Sequence, residues 1–194
     1  MANFEDAIAA LDKSLSEQEK RQDAVLSIQR ELVRKCAKAI RCVHVGDTAG
    51  CEALLPQIDR QMAELKAIDA GFEHISVQAY QEVVEIKVLD ALFKRKEIPT
   101  YAELGVEFRP WLSGLADCVG ELRRALQLAL RDGRKDDADY CFRQMNRIYD
   151  NIMVLKYSGS LVGALKPKQD MVRGQVEHAR SEMLDCRELE SKVC

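Results

Sequence analysis

An all-α fold is what this sequence predicts, and three observations predict it. Pro and Gly are scarce, with 4 and 10 among 194 residues. Long stretches are instead dominated by Ala, Leu, Glu, Lys, Arg and Gln, whose small or straight side chains lose little rotamer freedom in a helix. Apolar residues recur at spacings of three and four, and no alternating run marks a strand. A chain of this length suits one domain, 1–194, around one core. Neither a fixed-period repeat nor a low-complexity segment interrupts it.

The elements follow in order. From about Phe4 to Val43, the residues Ile8, Leu11 and Leu15, then Val25, Ile28, Leu32, Cys36 and Ile40, define one very long helix or two in line. Gly46, Asp47 and Thr48 form a break and an N-cap. Cys51, Leu54, Leu55, Ile58, Met62 and Leu65 then lay out a second helix, expected to pack antiparallel on the first. A third helix, near Ala70 to Lys94, is apolar on nearly every side in its second half, which implies burial on more than one face. Pro99 stops it, and Thr100 with Glu103 supplies a capping box for a short helix ending at Gly105. Helices are then expected over Trp111 to Arg131, closed by Asp132 and Gly133, over Asp136 to Tyr157 and, after a Gly-containing loop, over Pro167 to Leu189. The count is six or seven helices.

Composition removes several function classes. The net charge of −3 neither announces nor excludes a nucleic-acid partner, so a local patch would have to serve. No apolar run approaches bilayer length, and the opening MANFEDAIAALDKSL carries acids where a secretory signal carries a basic flank; a cytoplasmic protein with no membrane partner is expected. The seven cysteines (Cys36, Cys42, Cys51, Cys118, Cys141, Cys186 and Cys194) form no CxxC pair, and His44, His74 and His178 keep no ligand spacing. Free thiols are the expected state. Without a Gly-rich phosphate loop, a GxSxG elbow or an HExxH helix, P-loop, serine-hydrolase and zincin chemistry fall away. An Asp/Glu toolkit points to hard cations if there is catalysis.

Within the apolar third helix, QEVVEIKVLDALF places Glu82 and Glu85 on one face, roughly 5–6 Å apart at Cβ. Two carboxylates that close repel, and burial makes the repulsion worse. A retained proton, a basic partner or a divalent cation must relieve it. Asp150, in FRQMNRIYDNIMVLKY, lies off the stripe of Phe142, Met145, Ile148, Tyr149 and Ile152, so periodicity makes it a polar-face residue. Asp117, Glu121 and Arg124, in WLSGLADCVGELRR, share a face, and a local salt-bridge ladder accounts for them. Basic residues gather in Arg30, Arg34, Lys35, Lys38 and Arg41 and again in Lys156, Lys166, Lys168, Arg173 and Arg180. Such stripes are commonly solvated faces, and they are also what holds a phosphate backbone. Few aromatic residues are present to stack single strands.

Read together, the segments RELVRKCAKAIRCVHVGD, AGFEHISVQAYQEVVEIKVLDALF, IPTYAELGV, WLSGLADCVGELRR, FRQMNRIYDNIMVLKY and LKPKQDMVRGQVEHAR, in this order over about residues 27 to 183, resemble the translin family. That family comprises translin, translin-associated factor X and shorter archaeal relatives, and this compact chain looks like the archaeal type. The resemblance implies a curved bundle of about seven helices that assembles into a hollow homo-oligomer, an octamer, enclosing RNA. It further implies a Mg²⁺- or Mn²⁺-dependent endoribonuclease, with Glu82 and Glu85 on the family's paired glutamates and Asp150 on the aspartate of its YD pair. These three would be both catalytic residues and metal ligands. Glu121 is the candidate for a supporting role, and Arg34, Lys35, Lys38 and Arg41 for RNA contact. The alternative is a non-catalytic translin-type protein that binds single-stranded RNA or DNA. Here the FEHIS segment keeps His74 but few basic neighbours.

Overall fold

The computed structural model describes residues 3–191, with side chains through residue 186. Eight helices and no strand occur among the described residues. They are α1 (Phe4–Val45), α2 (Thr48–Ile68), α3 (Glu73–Phe93), α4 (Tyr101–Leu104), α5 (Phe108–Arg131), α6 (Lys135–Met153), α7 (Gly159–Val162) and α8 (Leu165–Ser191). The expected all-α class holds, and the count exceeds seven because the Gly-containing loop winds into the single turn α7.

The long first segment is one helix of 42 residues, capped reciprocally by Asn3 and Asp6. It ends at Gly46, whose φ of 73° is the left-handed conformation that glycine adopts without steric cost. Asp47 then accepts from the Gly50 amide to start α2. The Thr100–Glu103 capping box forms as the sequence indicates. Helix α5 starts at Phe108, three residues earlier than expected, because Pro110 falls in the first turn, where its missing N–H has no intrahelical partner to lose. Helix α6 stops at Met153, four residues early. The Gln169 side chain from α8 donates to the carbonyls of Ile152 and Leu155 at 2.7 and 3.1 Å, taking up the acceptors at this end.

The helices pack as a sequence of neighbours: α2 on α1, α1 on α3, α3 on α5, and α5 on both α6 and α8, which also touch each other. Helix α3 is therefore covered on two sides, which is why its apolar residues occupy most of its circumference: Val83, Val84, Ile86, Val88, Leu89 and Leu92 are all essentially inaccessible. Its contact with α5 is set by Gly114. A Cβ there would lie 2.6 Å from the Gln81 carbonyl oxygen and 2.7 Å from Val84 Cβ, so only glycine lets the two backbones come this close.

The two halves of α1 differ sharply. Residues 25–45 alternate buried and exposed positions against α2 and α3, whereas every described residue from 3 to 24 is exposed. Phe4, Ile8, Leu11 and Leu15 thus carry the expected apolar periodicity without covering partners among the described residues. No helix of the described residues is long and apolar enough to cross a membrane.

Candidate functional site

The close crossing at Gly114 decides which carboxylates meet. On α5, Gly114, Asp117 and Glu121 stand at i, i+3 and i+7 and so share one face. On α3, Glu82 and Glu85 follow directly after Gln81, the residue on which Gly114 rests. Four carboxylates therefore gather along one seam, and each of the two glutamates of α3 feels the charges of Asp117 and Glu121.

Burial and like charge act together there. Glu85 is only 9% exposed. Desolvation first, and then the carboxylates of Glu82, Asp117 and Glu121, push its acidity up to about 8. Glu82 is raised as well, by burial and by Asp117 and Glu121, with Lys168 opposing. The two acids of α5 are instead paired. Lys168, from α8, donates to Asp117. His44, from the last turn of α1, donates through Nε2 to Glu121 and holds that carboxyl below its ordinary range. Arg124 stands 3.7 Å from Glu121, a looser contact. Burial together with Glu82 and Glu85 also drives the Cys36 thiol of α1 up to about 12, which makes it an inert packing group.

The expected trio is thus half assembled. Glu82 and Glu85 lie together in a half-buried seam, but Asp150 does not join them. It is exposed on α6, is not among the charges that shift the α3 glutamates, and makes no hydrogen bond or ion pair with the described residues. The carboxylates that act on the two glutamates are Asp117 and Glu121. The salt-bridge ladder expected for Asp117, Glu121 and Arg124 forms in part: Arg124 stays with Glu121, but Asp117 turns to α8, and Glu121 also pairs with α1. The signal for this was in the sequence: a glycine followed at i+3 and i+7 by acids places both beside a tight helix crossing. Among the described residues, no group of three or more His, Cys, Asp or Glu side chains is placed to hold a metal ion.

The basic stripe of α1 is partly free. Arg34, Lys38 and Arg41 are exposed and form no close ion pair among the described residues, though Arg34 lies near enough to Glu31 to act on its charge, whereas Lys35 is tied to Glu31 at 2.9 Å. Arg41 lies one turn before His44, so the stripe leads toward the acidic seam. In α8, Lys168 is committed to Asp117, and Lys166 and Arg173 both approach Asp170. His74 is exposed in the first turn of α3, away from any of these groups.

A helical bundle whose two most enclosed helices present four acids to each other, next to an unpaired cationic helix edge, is a class of protein built around charge rather than around a deep apolar pocket. No family model matches the chain. Among curated proteins, it is 27% identical over 183 residues to the uncharacterized protein MJ0175 of Methanocaldococcus jannaschii, covering 92% of this chain and 82% of that one. Among solved structures, it matches AfC3PO with a TM-score of 0.86 at 26% identity, covering 94% of this chain and 98% of that one. The AfC3PO complex with duplex RNA matches with a TM-score of 0.84 at 26% identity, covering 94% and 97%. Apo-NeC3PO shares the fold with a TM-score of 0.82 at 19% identity, covering 92% and 96%. C3PO is the complex of translin and translin-associated factor X, and these likenesses support the resemblance to the translin family that the sequence segments carry.

Proposed function

We propose that this chain is a metal-dependent endoribonuclease that encloses RNA within a homo-oligomeric shell. The observation that carries the reading is the seam of Glu82, Glu85, Asp117 and Glu121, where burial and repulsion hold Glu85 protonated near neutrality. Concentrated charge in a half-buried place is costly for folding, and such sites are where chemistry is found. RNA as the substrate is supported by the likeness to AfC3PO, which was solved with duplex RNA, and by the unpaired Arg34, Lys38 and Arg41 on the approach to the seam. Assembly into a shell, with eight subunits the expected number, is supported by the apolar stripe on the projecting half of α1.

The donor set fits a hard cation: it is all oxygen and carries more negative charge than Lys168 offsets. Glu82 and Glu85 would hold Mg²⁺ or Mn²⁺, since one or two carboxylates suffice for an ion that keeps most of its water. When bound, such an ion supplies Lewis-acid stabilisation of a phosphoryl oxygen and lowers the pKa of a bound water. Glu85 is the group with a proton to give up as a cation arrives. Asp117, held by Lys168, and Glu121, held by His44, keep their carboxylates oriented across the seam. The cationic edge of α1 binds phosphate and aligns the strand.

The test is purified protein with end-labelled RNA, single- and double-stranded, in Mg²⁺ or in chelator. Cleavage only with Mg²⁺ is the expected result. Binding that falls with salt and no cleavage in either condition would replace the nuclease by the binding protein that translin-type relatives also suggest, with single-stranded RNA or DNA as its ligand.

A further inference from the structure

The face of α5 that carries Gly114, Asp117 and Glu121 continues, one turn further on, into a cavity of about 220 Å³. Ala125, Leu128 and Ala129 of α5 form its floor, Phe93 at the end of α3 and Cys141 of α6 its walls, and Arg95 and Arg134 stand with Asp137 and Tyr140 at its rim. The cavity is separated from the acidic seam by one side chain, His44.

His44 is only 2% exposed at its side chain and faces both ways. Its Nε2 donates to Glu121, while Nδ1 is buried with no hydrogen-bond partner among the described residues. With the proton on Nε2, Nδ1 is an acceptor, and a buried acceptor left unmatched destabilises the fold. The imidazole is fixed edge-on against Phe93, with centroids 6.4 Å apart, so its orientation is set by packing. A ligand that donates an N–H or O–H to Nδ1 satisfies the group.

The rim is built at a cost as well. Arg95 ends α3 in the left-handed region, with φ of 56°, and is the one non-glycine residue with positive φ among those described. The Arg95 amide donates to Leu92 and the Lys96 amide to Ala91, the C-terminal motif in which glycine is normal. Retaining a long side chain there strains the backbone, and what it places is a guanidinium: 3.4 Å above the Tyr140 ring and 2.8 Å from Asp137. Arg134 reaches the other oxygen of Asp137 at 2.9 Å and also pairs with Asp132 at 3.3 Å. Each guanidinium has five donors, so both retain donors for an anion after binding Asp137.

We propose that this cavity is a second binding site, for a nucleoside monophosphate. The base would lie on the apolar floor, its amino group on His44 Nδ1 and its phosphate between Arg95 and Arg134. The same base-and-phosphate unit could come as a free mononucleotide or as the terminal nucleotide of a strand. The site stands on its own cavity and orphaned acceptor, so it holds whether or not the acidic seam cleaves RNA.

Titration calorimetry of the intact protein in chelator tests it, with AMP, adenosine, inorganic phosphate and a 5′-phosphorylated pentanucleotide. AMP is expected to saturate one site per chain, with adenosine and phosphate at least about tenfold weaker. Arg95→Gly, which relieves the backbone strain while removing the guanidinium, should weaken AMP by about tenfold and leave the fold intact. Asp117→Asn should leave AMP affinity unchanged, which separates this site from the seam. Competition by the pentanucleotide assigns the source as a strand end, and its absence as the free nucleotide. In ¹⁵N-histidine spectra of a chain with three histidines, the His44 nitrogens should move on AMP addition. No saturable AMP binding, undiminished binding to Arg95→Gly, or unmoved His44 signals would overturn the proposal.

Discussion

Helices α3 and α6 each carry an acid that the sequence marks as a candidate, and they place it in opposite circumstances. Helix α3 is enclosed by α1 and α5 and apolar around most of its surface, so Glu82 and Glu85 have nowhere to turn but the seam. Helix α6 is strongly amphipathic, with Ala138, Cys141, Met145, Ile148 and Ile152 buried on one side and Asp150 exposed on the other. An acid on an all-round apolar helix is constrained by its surroundings, while one on an amphipathic helix is free to be solvated. On the proposed reading, the acids that do the chemistry are those of α3 and α5.

The sharpest break of that contrast is catalytic. Glu85→Gln and Asp117→Asn are each expected to lower Mg²⁺-dependent RNA cleavage by at least about 100-fold, while RNA binding and helicity persist. Gel assays of cleavage and binding on the same preparations measure both. Next in size is the crossing itself: Gly114→Leu drives a side chain into Gln81 and Val84, and overpacking of this kind costs about 1–3 kcal/mol, read as a lowered Tm.

A smaller effect is expected in pH dependence. Below about 4.5, Glu85 is protonated in the folded and unfolded states alike. Between there and about 8, the unfolded chain ionises while the folded chain retains the proton, so Glu85 erodes stability as pH rises through this window and no further above it. Glu82, also raised, acts in the same direction. Denaturant melts from pH 5 to 9 should show this decline, and Glu85→Gln should flatten it. Smallest of all is Asp150→Asn, expected to change the cleavage rate by less than about threefold, as for an exposed side chain without partners. A loss as large as that of Asp117→Asn would return Asp150 to the site through contacts that a single chain does not make.

Much of the fold was legible because it rests on local signals. The Thr100–Glu103 box, the Gly46 and Gly105 caps and the apolar stripes of α1, α2 and α5 are encoded within a few residues of where they act. The end of α6 was not, since it depends on Gln169 from a distant helix. The site divides in the same way. Glu82 and Glu85 stood out through their apolar neighbours, but Asp117 and Glu121 looked like a surface ladder, because their true partners, Lys168 and His44, lie 51 and 77 residues away. Asp150 drew attention through a family resemblance that its exposed position does not support with any contact. The His44 cavity carries no sequence motif, since it arises only where the ends of α1, α3 and α5 meet α6.

Mn²⁺ soaked into crystals of the protein, located by anomalous scattering, tests the central claim most directly. The account predicts a peak about 2.0–2.2 Å from carboxylate oxygens of Glu82 or Glu85, in the seam between α3 and α5. A peak at Asp150 with none in the seam would contradict it.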